Sequence, residues 1–382
     1  MINLVKDTID QEDLNSLIEW LKTNPRLTKG ELTIKFEEKW SQWLGVRHSI
    51  FVNSGSSANL ALIYAIKLLQ NPKRNNIILP AVSWSTTVSP AIQFGFNPIL
   101  CEADKETLGL DLNHFEILCK KYNPVAVMLV HVLGFPCKMK EIKSICKKYG
   151  VILLEDTCES HGSKYNNKKL GSIGDASTFS FYFGHHISTI EGGMICTDDT
   201  KLFNLLKSIR CHGWSRDLDS SFSNKWRKKW SVDNFKDLYT FYIPGFNLRS
   251  TDLQAFIGLR QLEKIDYICE SRNKNYIQYH KLIKNNYWKI SPTKNSWVSN
   301  FAYPIIHPNK SKIVENLQKN MIETRPLICG SIGQQPFWKK IYGECSYEMA
   351  DLVDNFGLYL PNNHQLSNQE LTKICKTVNE VI

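Results

Sequence analysis

Three short polar segments of this sequence combine residue types that ligand binding and proton transfer require. The first, residues 53–59, reads Asn-Ser-Gly-Ser-Ser-Ala-Asn and stands directly before a helical pattern. The N-terminus of a helix offers free N–H groups and the positive end of its dipole, so Gly55, Ser56 and Ser57 are candidates to bind a phosphate. An ordinary serine N-cap explains this segment equally well when it is taken alone.

The second segment places carboxylates at the end of a predicted strand. Residues 151–155 read Val-Ile-Leu-Leu-Glu, and Asp156 follows at once. Ligands of open α/β sheets lie at the carboxyl ends of the strands. Asp156 is therefore a candidate partner for a cationic ring nitrogen, because such a pair favours both charged forms. A helix N-cap aspartate is the alternative explanation.

The third segment, residues 180–193, runs from a predicted strand into a polar loop that contains the adjacent residues His185 and His186. An imidazole has an ordinary pKa near ~6.5 and can move protons at neutral pH. Zinc is the weaker interpretation, because adjacent histidines rarely converge on one metal and no Cys-x-x-Cys or His-x-x-x-His spacing supports it. We expect no metal site here.

The hydrophobic pattern predicts the elements that position these segments. Short apolar strands alternate with helical stretches, such as residues 59–69 and 140–148, through the first 250 residues. This alternation favours an α/β fold with a mostly parallel sheet covered on both faces by helices. The predicted strands are 77–80, 98–101, 125–132, 151–155, 177–182 and 193–197.

The pattern changes near residue 250. The elements predicted after it are a long helix at 250–269, a strand at 301–306, a helix at 313–319 and a strand at 325–329. Ser367 and Glu370 form a capping-box pattern before a last helix. We therefore expect a large α/β domain over residues 1–250 and a small α+β domain over residues 251–382.

Composition excludes several classes of protein. The 382 residues are 42% hydrophobic and 11% aromatic, which argues against disorder. No apolar run approaches the ~18–20 residues of a membrane helix, and the N-terminus lacks a signal-peptide pattern, so we expect a soluble, cytoplasmic protein. The net charge of +10 favours anionic ligands, but the scattered basic residues argue against nucleic acid. The 11 cysteines without paired spacing indicate reduced thiols.

Taken together, these segments resemble the sugar aminotransferase family (DegT/DnrJ/EryC1/StrS). Further segments that carry the resemblance occur in order along the chain, at residues 30–45, 80–87, 131–134 and 245–255. The resemblance implies the aspartate-aminotransferase-like fold (fold type I) and binding of pyridoxal 5′-phosphate (PLP). It also implies a nucleotide-sugar substrate and a homodimer with shared active sites.

The resemblance implies a role for each matching residue. Trp84 would stack on the pyridine ring of the cofactor, and Asp156 would keep the ring nitrogen protonated. Glu159 stands near the ring, where the family usually has Gln or His. The residues that would hold the cofactor phosphate are Gly55, Ser56, Ser57, Ser180 and, from a neighbouring subunit, Asn247.

His185 is the main departure from the family pattern. The aminotransferases of the family have a lysine here that binds the cofactor covalently, and residues 179–200 contain no lysine. PLP or its pyridoxamine form would therefore be bound non-covalently, with His185 as the catalytic proton carrier. This substitution resembles the branch of GDP-4-keto-6-deoxymannose 3-dehydratases. The resemblance thus implies removal of a sugar 3-hydroxyl, with glutamate as co-substrate, in deoxysugar and O-antigen biosynthesis.

Candidate contacts to the substrates are less specific. Arg216, Arg249 and Arg325 are candidates for the nucleotide diphosphate or the glutamate carboxylates, because a guanidinium matches both groups. Each is equally expected in a surface ion pair. His186 is a further candidate, although a histidine that supports its neighbour is the simpler interpretation.

Two other functions remain open at this level. A 4-keto-sugar aminotransferase that works without the lysine would yield an amino sugar and no free ammonia. A non-catalytic relative that lost the lysine by drift would not be expected to keep Trp84, Asp156 and the phosphate-loop serines. We therefore expect the 3-dehydratase.

Overall fold

The computed structural model describes residues 1–69, 74–328 and 330–382. The helices are α1 Gln11–Lys22, α2 Glu31–Leu44, α3 Gly55–Leu69, α4 Ser85–Gln93, α5 Leu112–Tyr122, α6 Met139–Tyr149, α7 Thr200–Arg210, α8 Ser220–Trp230, α9 Asp252–Leu282, α10 Lys310–Lys319, α11 Pro336–Tyr342, α12 Glu348–Phe356 and α13 Asn368–Asn379. The strands are β1 His48–Val52, β2 Asn76–Pro80, β3 Asn97–Cys101, β4 Ala126–Val130, β5 Ile152–Asp156, β6 Lys164–Tyr165, β7 Lys168–Lys169, β8 Ala176–Ser180, β9 Gly193–Thr197, β10 Ser296–Trp297, β11 Tyr303–Ile306, β12 Arg325–Pro326 and β13 Gly357–Leu360.

A seven-stranded sheet in the order β1-β9-β8-β5-β4-β2-β3 organises the larger part of the chain. Every pair from β8 to β3 is parallel, and β9 is antiparallel to both of its neighbours. The other six strands therefore run in one direction, and their carboxyl ends meet at one edge of the sheet. Ligand sites of such sheets lie at this edge.

The strands are apolar because helices cover both faces of the sheet. All five residues of β4 and of β8 are buried. Against one face, the ring of Trp40 packs edge-on to Phe179 and Phe181, with centroids 5.1 and 4.8 Å apart. This aromatic cluster fixes the backbone of β8 where it leads into the loop that carries the two adjacent histidines.

The smaller part of the chain is built on an antiparallel sheet in the order β11-β13-β12. The long helix α9 begins with a capping box between Thr251 and Gln254, which satisfies N–H groups that the first turn leaves free. Near its start, the carboxylate of Asp252 accepts hydrogen bonds from the N–H groups of Gly30 and Thr33. Helix α9 thus packs against α2 at one end and α13 at the other.

The expected fold class, a mostly parallel α/β sheet with a smaller α+β part, is confirmed. The six strands predicted within the first 250 residues all occur. Strand β4 ends at Val130, because Val132 begins a short 3-10 turn. The predicted helix at 250–269 is too short, since α9 continues to Leu282. The capping box of Ser367 and Glu370 is confirmed. Strand β1 was not predicted from the sequence.

Some sequence expectations are not decided by the fold. The domain boundary near residue 250 stays a prediction. The predicted strand at 325–329 is too long, since β12 ends at Pro326, and its predicted end at Cys329 falls outside the described residues. In the part of the chain that the structure describes, no helix is long and apolar enough to cross a membrane. The ten cysteines within that part are free thiols.

Candidate active site

A cavity of about 780 Å³ opens at the carboxyl edge of the large sheet. The segments that follow β1, β2, β5 and β8 form its floor and walls, and residues of the smaller part of the chain form its far side. Eight of the sequence-predicted residues line it, namely Gly55, Ser56, Trp84, Asp156, Glu159, Ser180, His185 and Arg325. The sheet thus brings together most of the predicted site.

One end of the cavity is the N-terminus of α3. Ser54 Oγ accepts the N–H of Ser57, and the Ser54 carbonyl oxygen accepts the N–H of Ala58 in the first intrahelical bond. The N–H groups of Gly55 and Ser56 are then left for a ligand, at the positive end of the helix dipole. A Cβ atom on Gly55 would lie 2.5 Å from Cβ of Ser180, so only glycine allows the two segments to approach this closely.

Hydroxyl groups complete this end of the cavity. Ser56 Oγ donates to Thr86 Oγ1 at 3.1 Å, and Ser180 Oγ accepts a hydrogen bond from the N–H of Tyr182. Both Thr86 and Ser180 line the cavity. Backbone N–H groups and hydroxyls at a helix N-terminus are the donors that a phosphate needs, so this end can bind a phosphate group.

Asp156 lies at the end of β5 with 4% of its surface exposed. Its Oδ2 accepts hydrogen bonds from Asn59 Nδ2 at 2.9 Å and from Thr87 Oγ1 at 2.8 Å. Its Oδ1 accepts only the N–H of Cys158, at 3.2 Å. A buried carboxylate with an oxygen facing a cavity can hold a positively charged ring nitrogen, which would in turn stabilise the carboxylate.

Trp84 and Glu159 also line the cavity. Trp84 directly precedes α4 and is 56% exposed, so its indole face is available for stacking on a planar ring. Glu159 Oε2 accepts the N–H of Leu133 at 2.8 Å. Burial raises the pKa of Glu159 to about 8, against the effect of the Leu133 N–H and with a contribution from Asp156. Its carboxyl group is therefore protonated at neutral pH and can donate a hydrogen bond.

His185 stands in the loop after β8 and lines the cavity. Its Nδ1 is buried without a hydrogen-bond partner. Burial lowers the pKa of His185 to about 4; the charge of Arg272 adds to this effect and the Cys158 backbone opposes it. The imidazole is therefore neutral at physiological pH and can accept a proton.

Arg325 lines the cavity from the smaller part of the chain and is already partly paired. Its Nη2 donates to Glu323 Oε1 at 2.6 Å, while Oε2 of Glu323 accepts the N–H of Leu4 at 2.8 Å. The N-terminal residues Asn3, Leu4 and Val5 also line the cavity. Arg325 is thus the predicted arginine that can reach an anionic ligand in this cavity.

Several predicted residues lie elsewhere. Ser57 bonds Ser54 and does not line the cavity. Asn247, Arg216 and Arg249 also lie outside it and share one surface region. There Arg249 Nε donates to Asn247 Oδ1 at 3.0 Å, and the Arg216 guanidinium lies 4.2 Å from the centroid of the Trp214 ring. The roles predicted for these three residues stay predictions.

His186 points away from the cavity that its neighbour lines. It is completely buried, and its Nε2 lies 3.1 Å from the carbonyl oxygen of Ser299. This geometry favours the simpler interpretation, in which His186 supports the loop instead of touching substrate. Within the described ranges, no group of three or more His, Cys, Asp or Glu side chains is placed to hold a metal ion.

The structure adds residues that the sequence analysis did not single out. Asn59 and Thr87 hold Asp156, Thr86 joins the phosphate end, and Phe301 forms part of the wall beside His185. Asn59 follows Gly55 by one helical turn, and the two threonines fall within residues 80–87, so a signal for three of them was present. Phe301 comes from a distant part of the chain, and no local pattern marks it.

Known proteins resemble this chain over nearly its whole length. The sequence model of the DegT/DnrJ/EryC1/StrS aminotransferase family matches residues 7–379. The GDP-4-keto-6-deoxy-D-mannose 3-dehydratase of Yersinia pseudotuberculosis is 34% identical over 98% of this chain and 97% of its own.

Two solved structures extend this comparison. The Escherichia coli GDP-4-keto-6-deoxy-D-mannose-3-dehydratase with bound hydrated PLP superposes with a TM-score of 0.89 at 30% identity, covering 99% of this chain and 100% of that chain. A GDP-4-keto-6-deoxymannose-3-dehydratase with a trapped PLP-glutamate geminal diamine gives a TM-score of 0.89 at 29% identity, with the same coverage.

Proposed function

The chain belongs to the DegT/DnrJ/EryC1/StrS aminotransferase family, and from this premise we propose that it is a PLP-dependent GDP-4-keto-6-deoxymannose 3-dehydratase. It would use glutamate to remove the 3-hydroxyl of the sugar and release ammonia, 2-oxoglutarate and a 4-keto-3,6-dideoxy sugar nucleotide. One observation carries the proposal: His185 lines the cavity, and the resemblance implies that it stands where the aminotransferases of the family have their lysine.

The cavity fits the cofactor at three points. The first turn of α3, with Gly55, Ser56 and Thr86, would hold the phosphate. Trp84 would stack on the pyridine ring. Oδ1 of Asp156 would accept a hydrogen bond from the protonated ring nitrogen. The N–H groups of Gly55 and Ser56 and the Oδ1 atom of Asp156 are the groups that such a ligand would contact.

The cofactor, when bound, supplies a group that exchanges nitrogen with glutamate and with the keto sugar, and a ring that accepts an electron pair. His185 would bind no cofactor carbon, because an imidazole forms no stable imine. Its Nε2 would accept a proton and give it back in each half-reaction, which a neutral imidazole can do. Without a lysine amine nearby, nothing on the protein competes with the cofactor amine for the sugar.

Asp156 and Glu159 would set the charges around the ring. An ionised Asp156 favours a protonated ring nitrogen, and this protonation makes the ring a better electron acceptor. Glu159, neutral because of its raised pKa, would donate a hydrogen bond to the ring edge without adding negative charge. Arg325 would bind an anionic group of either substrate at the mouth of the cavity.

We further propose that the active enzyme is a homodimer with shared sites. Asn247 and Arg249 lie at a surface region that also holds Arg216 and the exposed aromatic residues Tyr239 and Phe241. A second subunit that covers this region would bring Asn247 to the cofactor phosphate and an arginine to the diphosphate of its partner's substrate. Such a dimer explains why these residues are absent from the cavity of their own chain.

The test is an assay of ammonia and 2-oxoglutarate with PLP, glutamate and GDP-4-keto-6-deoxymannose. We expect both products to form in equal amounts over many turnovers when the sugar nucleotide and glutamate are both present, and glutamate alone to give 2-oxoglutarate only up to the amount of PLP. The alternative function, a 4-keto-sugar aminotransferase, would form 2-oxoglutarate without ammonia. Absence of both products, with PLP bound, would favour a non-catalytic relative.

A further inference from the structure

A buried guanidinium without an acidic partner lies behind the cavity wall. Arg272 of α9 is 2% exposed, and its Nη1 donates to the carbonyl oxygens of Phe301 at 2.7 Å and Asn362 at 2.5 Å. Its Nε is buried without a hydrogen-bond partner. Among the described residues, no carboxylate lies within ion-pair distance of it. Buried charges are costly and are usually paired, so an unpaired arginine here calls for an explanation.

Phe301 connects this guanidinium to the catalytic imidazole. The Arg272 guanidinium carbon lies 5.9 Å from the centroid of the Phe301 ring. The same ring has its centroid 5.4 Å from that of His185, and it lines the cavity. Because Arg272 also bonds the Phe301 carbonyl, it holds this residue in place.

The remaining surroundings of His185 offer little that would stabilise a positive imidazole. The ring of His161 lies 6.1 Å from that of His185 and 5.1 Å from that of His186, between centroids. Both nitrogens of His161 are buried without partners. Cys269, on α9 beside Arg272, donates its thiol hydrogen to the His161 carbonyl.

On the cavity side, the ionisable side chains other than His185 are Asp156, Cys158, Glu159, Tyr182, Glu323, Arg325 and Tyr359. Burial raises the pKa of Glu159 and of Cys158, so both are neutral. Asp156 has its carboxylate oriented by Asn59 and Thr87 toward the site of the ring nitrogen. Arg272 is therefore the charged group next to Phe301, and Asp156 and the ion pair of Glu323 and Arg325 are the charged groups that line the cavity.

We propose that Arg272 is a positioning residue for His185: it fixes Phe301 against the imidazole, and its charge adds to burial in keeping that imidazole a neutral proton acceptor. This inference deepens the proposed function, on which it rests. A second positive charge beside the buried guanidinium is unfavourable, since like charges in a low-dielectric interior repel strongly. Burial, with Arg272 contributing, also lowers the pKa of His161 and His186, so the whole imidazole cluster stays neutral.

The direct test is a titration of His185 by NMR in protein with ¹⁵N-labelled histidine and without cofactor or substrate. His185→Asn assigns the signal. In Arg272→Gln, which keeps an amide donor for the carbonyls but has no charge, we expect the titration midpoint of His185 to rise by about one pH unit or more. In Arg272→Lys, which keeps the charge, we expect a midpoint near that of the unmodified protein. An unchanged midpoint in Arg272→Gln would overturn the proposal.

A second variant covers the case in which Arg272→Gln does not fold. Phe301→Leu keeps the guanidinium and removes the ring that lies near both Arg272 and His185. We expect the His185 midpoint to stay well below its ordinary value, since the charge remains. If the His185 midpoint returned to the ordinary value of a histidine, burial by the Phe301 ring alone would explain the lowered midpoint. That result would contradict a role for the arginine charge.

Activity gives an independent readout. The acidic limb of the pH–rate profile should move to higher pH in Arg272→Gln and should be restored in Arg272→Lys. Because the NMR titration needs no substrate, it can support or refute the role of Arg272 even if the proposed reaction is wrong. Conversely, a correct reaction with an unmoved titration would leave the function standing and remove this inference.

Discussion

The side-chain amide of Asn59 donates a hydrogen bond of 2.9 Å to Oδ2 of Asp156, while its own oxygen accepts one of 2.6 Å from Thr178 Oγ1. These bonds join α3, β5 and β8 beneath the cavity. Together with Thr87, they occupy one carboxylate oxygen and leave Oδ1 with a single long bond. The phosphate end and the acidic group are thus held in a fixed relation before any ligand arrives.

The first prediction concerns the charge of Asp156. We expect Asp156→Asn to lower kcat at least ~30-fold, because removing one partner of a buried charge pair costs about 2–5 kcal/mol. Thr87→Val is the matched control: it deletes one hydrogen bond to the same carboxylate, worth about 1 kcal/mol, and should lower kcat only about fivefold. Steady-state kinetics of both variants, with PLP saturating, make the comparison. Equal losses would mean that the charge of Asp156 has no special role.

The second prediction concerns residue 185. In His185→Lys, the new amine should bond covalently to the cofactor aldehyde, with a shift of the PLP absorbance band and a mass increase after borohydride reduction. His185→Asn should bind PLP without either change. A lysine variant that binds PLP but shows neither signal would place residue 185 too far from the aldehyde for the proposed site.

The third prediction concerns the close approach at Gly55. Gly55→Ala would place its Cβ 2.5 Å from Cβ of Ser180. Overpacking of this kind costs about 1–3 kcal/mol, so we expect PLP affinity to fall about 5- to 150-fold. In the comparison variant Gly184→Ala, the nearest atom is a Tyr182 ring carbon at 3.6 Å, an ordinary contact. Fluorescence titration with PLP measures both, and similar affinities would argue against a phosphate at Gly55.

The fourth prediction follows from the raised pKa of Glu159. Because its pKa rises to about 8 in the folded protein, the folded state holds a proton that the unfolded chain releases above its ordinary value of 4.5. Stability therefore falls as pH increases between about 4.5 and 8, by at most ~1.4 kcal/mol per unit within this window. Glu159→Gln removes this contribution.

Thermal unfolding at several pH values measures the effect. The Tm of Glu159→Gln relative to the unmodified protein should rise from pH 5 to pH 8 and then level off. A difference in Tm that is constant across this range would show that Glu159 titrates normally.

Much of the site could be predicted from local sequence because each part follows a strand of the same sheet. Gly55 follows β1, Asp156 ends β5 and His185 follows β8, and parallel strands bring such residues to one edge. The strand β1 itself escaped prediction, because it is short and begins with the polar residues His48 and Ser49. Its position was nevertheless implied by the polar segment that follows it.

The remaining part of the site depends on contacts that no local pattern specifies. His185 and His186 are adjacent in sequence, yet one faces the cavity and the other bonds the carbonyl of Ser299. Spacing alone could not decide which of them is available. Arg272 and Phe301 reach the site from α9 and the start of β11, and their relation to His185 appears only once the chain is folded.

The most direct measurement of the central claim is the structure of the sugar product. PLP, glutamate and GDP-4-keto-6-deoxymannose are incubated with the protein in D₂O, and the sugar nucleotide is analysed by mass spectrometry and NMR. The account predicts a product with one oxygen fewer, a deuterium-labelled methylene at C3 and a carbonyl at C4. A product that retains the 3-hydroxyl and carries nitrogen at C4 would contradict it, because the protein would then be transferring the amino group.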